Sequence, residues 1–193
     1  MWKAFCDPVI PFYLTFIAVL LSGLAARDQV AIAHYSHAHG RRWAMLAVAM
    51  AVSVATAAFA GYAAKLIVPL MAPAARVFLC AMAVLFAGAE SLVIAPRARN
   101  RDPNRSLGLY SLTLLAHQLT DAARFIVFGI AVAAQAPITA AAGGALGGIV
   151  LVAAAWAYPQ IALDARARLA RRLLGVAFIL IGAYIAMRAV DWV

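Results

Sequence analysis

The chain has 193 residues, of which 67% are hydrophobic and 12% charged, and a net charge of +9. A soluble domain holds roughly 25% charged residues and about half apolar ones, so a chain this apolar cannot cover itself with polar groups in water. That excludes a water-soluble globule: the surplus apolar surface must face lipid.

A helix needs about 20 apolar residues to cross a hydrocarbon core roughly 30 Å thick. The chain offers six such runs: Val9 to about Ala33, Trp43 to Ile67, Arg76 to Ala95, Leu107 to about Ala134, Pro137 to Leu163, and Leu173 to Val193. Together with short loops they use nearly the whole length and leave no room for a soluble domain. Backbone left unpaired against lipid is not tolerated, so each run is expected to be one helix. Residues 68–75, with Pro69 and Pro73, interrupt the second and third. The opening segment has the outline of a cleaved secretory signal, with Lys3, an apolar run Phe12 to Leu21, and small residues from Ser22 to Ala26. Asp7 offsets Lys3, Pro8 and Pro11 interrupt it, and its removal would leave five spans, so the expectation is that it is retained.

Basic residues set the expected orientation. Arg41 and Arg42, then Arg97, Arg99, Arg101 and Arg105, then Arg166, Arg168, Arg171 and Arg172 fall in the loops after the first, third and fifth spans, whereas Lys3, Lys65, Arg76 and Arg188 fall on the other side. The positive-inside rule puts the arginine-rich loops in the cytoplasm and both termini outside an inner membrane. With its arginines serving orientation and lipid contact, the chain is not expected to bind nucleic acid. Cys6 and Cys80 have neither metal-ligand nor redox spacing, and Cys80 reads as a small hydrophobe.

Three spans, an arginine-rich loop and three more spans suggest a repeat. Leu20 and Leu24 precede Leu115 and Leu119 by the same offset. Repeats with an odd number of spans must be inverted, with a site near midplane where their first helices meet. The expected fold is therefore all-α: a polytopic membrane protein of six transmembrane helices in two inverted three-helix repeats, residues 1–100 and 101–193.

Ionisable residues inside a span are costly and mark functional sites by default. The first span carries Arg27, Asp28 and Gln29; the fourth carries His117, Gln118, Thr120, Asp121 and Arg124. On an unbroken helix Gln118, Asp121 and Arg124 would share a face, as would His117 and Asp121. That face must point into the bundle. Two readings stay open. Asp121, with oxygens from Gln118 and Thr120, binds a cation or relays a proton; or Asp121 and Arg124 neutralise each other and fasten helices. Arg27 and Asp28 lean to the fastening reading. His34 and His37 share a helical face and suit a transition metal, but no Cys or carboxylate nearby completes a set. Glu90 is expected to snorkel or to pair with an arginine of the following loop. The Gly143-Gly144 and Gly147-Gly148 run has the small-residue spacing that lets helix backbones approach closely.

In this layout the chain resembles the transmembrane protein 165 / Gdt-type cation–proton exchangers (uncharacterised protein family 0016), whose two repeats each open with E-x-G-D-[KR]-[TS]. The stretch Leu114 to Arg124 looks like a worn copy, with Asp121 on the motif Asp, Gln118 on its Glu, Thr120 on its Gly and Ala122 on its basic residue. In Gly23 to Ala31, Arg27 falls on the basic residue and Gln29 on the Gln that often follows. Gly23 replaces Glu and Ala26 replaces Asp, so Asp28 could stand in only with a shift of register. The resemblance implies a secondary transporter rather than an enzyme. It would exchange manganese or calcium for protons and need no resident cofactor, with activity altered or lost where motif acids are missing. The alternatives are a structural or regulatory membrane subunit, and an exporter of small organic solutes whose Arg–Asp pairs bind a zwitterion.

Overall fold

The structure, a computed structural model, describes residues 9–94 and 107–190, except for the side chains of residues 38 and 39. Cys6, the segment 1–8, Arg97, Arg99, Arg101, Arg105 and the end of the sixth run lie outside the described residues. The described chain is helical throughout, with no strand: α1 (Val9–Ser22), α2 (Arg27–His39), α3 (Trp43–Ile67), α4 (Pro73–Val93), α5 (Leu107–Leu119), α6 (Ala122–Ala133), α7 (Pro137–Ala157), α8 (Pro159–Leu163) and α9 (Ala165–Ala189). Four of these are long and apolar enough to cross a membrane, and up to six spans result if each of two bent helix pairs counts as one. The protein therefore has the build of a membrane-spanning bundle, and large apolar side chains such as Phe59, Tyr62, Phe86, Leu112 and Leu180 stand exposed on its outside.

Proline marks the predicted interruption between the second and third runs. Val68–Leu70 forms a short 3₁₀ turn, and Pro73 begins α4 at a position where its missing N–H costs nothing. The fifth run, expected to be one helix, is instead cut at Tyr158 by Pro159, which starts the short α8.

Two further expectations are corrected. The first and fourth runs are not continuous helices: α1 and α2 meet at 62°, and α5 and α6 at 51°. The sixth helix begins at Ala165 instead of Leu173, so Arg166, Arg168, Arg171 and Arg172 lie on helix rather than loop, and Arg171 is buried. The glycine run brings helix backbones close together as expected, and it also makes room for side chains. A Cβ at Gly143 would strike the Phe12 carbonyl of α1, one at Gly147 would crowd the Phe16 carbonyl, and one at Gly148 would strike Ser53 Oγ and approach Arg124 Nη2 to 2.9 Å. One face of α7 thus seats α1 while the other makes room for a buried guanidinium. Elsewhere α3 packs chiefly on α7, and α4 on α9 across Gly88, Gly175 and Gly182.

Candidate functional site at the junction of two bent helix pairs

A helix break in an apolar surround exposes backbone groups that water cannot reach, so side chains must satisfy them. After Ser22 the chain turns through Gly23 and Ala25, the latter at φ 51° in left-handed conformation. Gln29 Oε1 accepts from Ala25 N (3.1 Å) and Gln29 Nε2 donates to Leu151 O on α7 (3.0 Å). Arg171 Nη1, reaching across from α9, donates to Ala25 O (3.0 Å). Asp28 Oδ1 accepts from the Gln29 amide (2.7 Å) within the first turn of α2, where a carboxylate also complements the helix dipole.

The second break is closed by residues of the first half. Asp121 is extended (φ −85°, ψ 139°) and heads α6 without a side-chain cap bond. Glu90 of α4 supplies that bond instead: its Oε2 accepts from Ala122 N at 2.8 Å. Its Oε1 pairs with Arg27 Nη2 at 3.0 Å and lies 3.9 Å from Arg171 Nη2. The same Arg27 Nη2 donates to Thr120 O (3.1 Å). Glu90 is therefore held by arginines from α2 and α9 and caps the broken helix, a partnership its sequence position did not indicate.

Between the two breaks, Gln118 Nε2 donates to Asp28 Oδ2 (3.2 Å), and the Thr56 hydroxyl of α3 lies 3.2 Å from Gln118 Oε1. The polar residues of the first and fourth runs thus do meet, in a buried cluster comprising Asp28, Gln29, Gln118, Asp121 and Arg124. The shared helical face does not exist, however, because the break falls between Gln118 and Asp121. Among the described residues no ion pair within 4 Å joins Asp121 to Arg124. Arg124 turns instead to Ser53 Oγ (2.8 Å) and Gly144 O (3.3 Å). Thr120 is exposed and its hydroxyl returns to its own helix at Ala116 O, so it offers Asp121 nothing.

What remains is one carboxylate oxygen: Asp121 Oδ1 is buried with no hydrogen-bond partner. Asp28 and Glu90 act on Asp121 as like charges, Arg124 and Arg171 as opposite ones. With Arg27, the cluster brings three carboxyl groups (Asp28, Glu90 and Asp121) together with three guanidiniums. His117 Nδ1, the Nε atoms of Arg27 and Arg124, and Arg171 Nε and Nη2 also lack hydrogen-bond partners.

His34 is half-buried and His37 exposed on α2, and among the described residues no three His, Cys, Asp or Glu side chains converge as a metal-holding group. Sequence reasoning missed Arg171 and the role of Glu90. The signal available was that each break would need partners from outside its own run. Comparison of the chain with protein-family models, curated proteins and solved structures finds no match.

Proposed function

We propose that the protein is a secondary transporter whose working site is the junction of the two bent pairs, exchanging a small cation for protons. Asp121 Oδ1 carries this reading. In a bundle that commits Arg27, Gln29, Glu90 and Arg171 to closing its breaks, a buried carboxylate oxygen at a break is left open. Buried polar groups are otherwise almost always paired, and an open carboxylate is an acceptor for a cation or a proton. Discontinuous helices at the heart of inverted repeats are where transporters build ion sites.

The resemblance to Gdt-type exchangers supports the same reading. In its register Asp121 is the surviving motif acid, and Ala25, at the motif glycine, has the positive φ that glycine takes without strain. The bends at the first and fourth runs, with α3 against α7 and α4 against α9, are what two inverted three-helix halves would produce. The arginine-rich segments would then face the cytoplasm of an inner membrane. A dehydrated divalent ion needs several hard oxygens and offsetting negative charge. Asp121 and Asp28, hemmed by Arg124 and Arg171, provide less of both than an intact motif pair. Manganese and calcium are therefore held weakly, and proton movement is the step best preserved.

Proteoliposomes carrying a proton-sensitive dye test this. A manganese or calcium gradient should drive proton flux that Asp121→Asn abolishes while leaving the protein folded, since Oδ1 has no hydrogen bond to lose. Flux no greater than in protein-free vesicles with either ion would refute it. A second reading, that the polar cluster only fastens helices, is favoured by the bonds of Arg27, Gln29 and Glu90; it requires Asp121→Asn to lower stability with no flux to lose.

A further inference from the structure

From the two breaks, α2 and α5 run antiparallel beside each other. Asp28 meets Gln118, Arg27 reaches Thr120 O, and the rings of Tyr35 and Tyr110 lie 4.7 Å apart. Both helices lead from the junction to the face of the bundle where Arg41 and Arg42 precede α3. The outer surface of α5 is divided into two strips. Leu109, Leu112 and Leu119 are exposed and apolar, as a lipid-facing strip should be. Thr113, His117 and Thr120, at helical spacing, form a polar strip beside it; Thr113 and Thr120 are exposed and His117 is half-buried. Arg27, whose side chain is 28% exposed, stands at the inner end of that strip.

This strip runs deep. His117 lies about 15 Å along α5 from Leu107, halfway through a hydrocarbon core roughly 30 Å thick. A guanidinium open to hydrocarbon at such a depth is too costly to persist. Two buried nitrogens of the same residues, His117 Nδ1 and Arg27 Nε, have no hydrogen-bond partner in the protein. Buried polar atoms that a chain leaves unpaired are ordinarily served by water. Exposed charge and unpaired nitrogens therefore call for the same solvent, on the same flank. Arg27 and Asp28 are the charges that act on His117, so the strip ends against the acid of the first break.

We propose that the flank between α2 and α5, lined by Arg27, Thr113, His117 and Thr120, is a hydrated path from the face carrying Arg41 and Arg42 to the junction. It is the entry route for the transport reading above and rests on that reading for what travels along it; its hydration does not. Single cysteines in a Cys6→Ser, Cys80→Ser background test it, treated with a membrane-impermeant methanethiosulfonate cation in everted and right-side-out membrane vesicles. Arg42→Cys reports which face the reagent reaches, and Leu112→Cys is the lipid-facing control. From the face at which Arg42→Cys reacts, Thr113→Cys and His117→Cys should react about tenfold or more faster than Leu112→Cys, because apolar surroundings suppress the reactive thiolate. Thr120→Cys, at an exposed position, covers the case in which His117→Cys does not fold. Rates at Thr113→Cys and His117→Cys no greater than at Leu112→Cys would overturn the path. So would reaction at Thr113→Cys alone, or from the opposite face only. Labelling as expected with no ion-driven proton flux would uphold the path and refute the transport reading alone.

Discussion

Glu90→Gln is the substitution for which the structure makes the sharpest demand. The carboxylate makes three contacts: Arg27 Nη2 at 3.0 Å, the Ala122 amide at 2.8 Å and Arg171 Nη2 at 3.9 Å. The Arg27 side chain is 28% exposed, so that pair is partly screened and contributes about 0.2–1 kcal/mol. A glutamine oxygen can still accept from Ala122, but a neutral bond is roughly half as strong as a charge-assisted one. The larger part comes from Arg171, whose side chain is 3% exposed and which loses a carboxylate 3.9 Å away. Breaking a buried pair costs about 3–5 kcal/mol, and the 3.9 Å separation puts this one at or below the low end. Glu90→Gln should therefore destabilise the protein by about 2–4 kcal/mol. Glu90→Ala should cost about 1–3 kcal/mol more, because the Ala122 amide then has no acceptor. Reversible unfolding in mixed micelles measures both. Arg27→Gln combined with Glu90→Gln should cost less than the two singles added. A Glu90→Gln protein within about 0.5 kcal/mol of the unaltered one, the scatter of ordinary surface changes, would refute the view that Glu90 holds the two bends together.

Gly148→Ala should destabilise by about 1–3 kcal/mol, since the new methyl meets Ser53 Oγ and pushes Arg124 from its bond there; restoration by Ser53→Ala together with Gly148→Ala would locate the clash. Gln29→Leu should cost about 2–4 kcal/mol by leaving the Ala25 amide and the Leu151 carbonyl without partners, read in the same unfolding assay, and a neutral outcome would mean that water closes the first bend.

How far the sequence reached depended on how local each feature was. The second apolar run announces its own ends, and α3 runs from Trp43 to Ile67 as expected. The interruption at Pro69 and Pro73 follows from missing N–H groups alone. The burial of Asp28, Gln118 and Asp121 was likewise legible, because such residues cannot face hydrocarbon. The bends were not, since neither Ala25 nor Asp121 is a proline or glycine that forces a break.

Composition by itself determined that this chain is a helical protein with the build of a membrane-spanning bundle, because 67% hydrophobic residues leave no other solvent for it and lipid permits few other backbones. Only the tertiary structure decided where the helices bend and who pays for it. A kink in a dry interior survives when side chains reach its freed amides and carbonyls, and here Glu90 and Arg171 do so from the distant α4 and α9, beside Gln29 of the adjoining α2. Those pairings span up to 146 positions of sequence, and no local pattern encodes them.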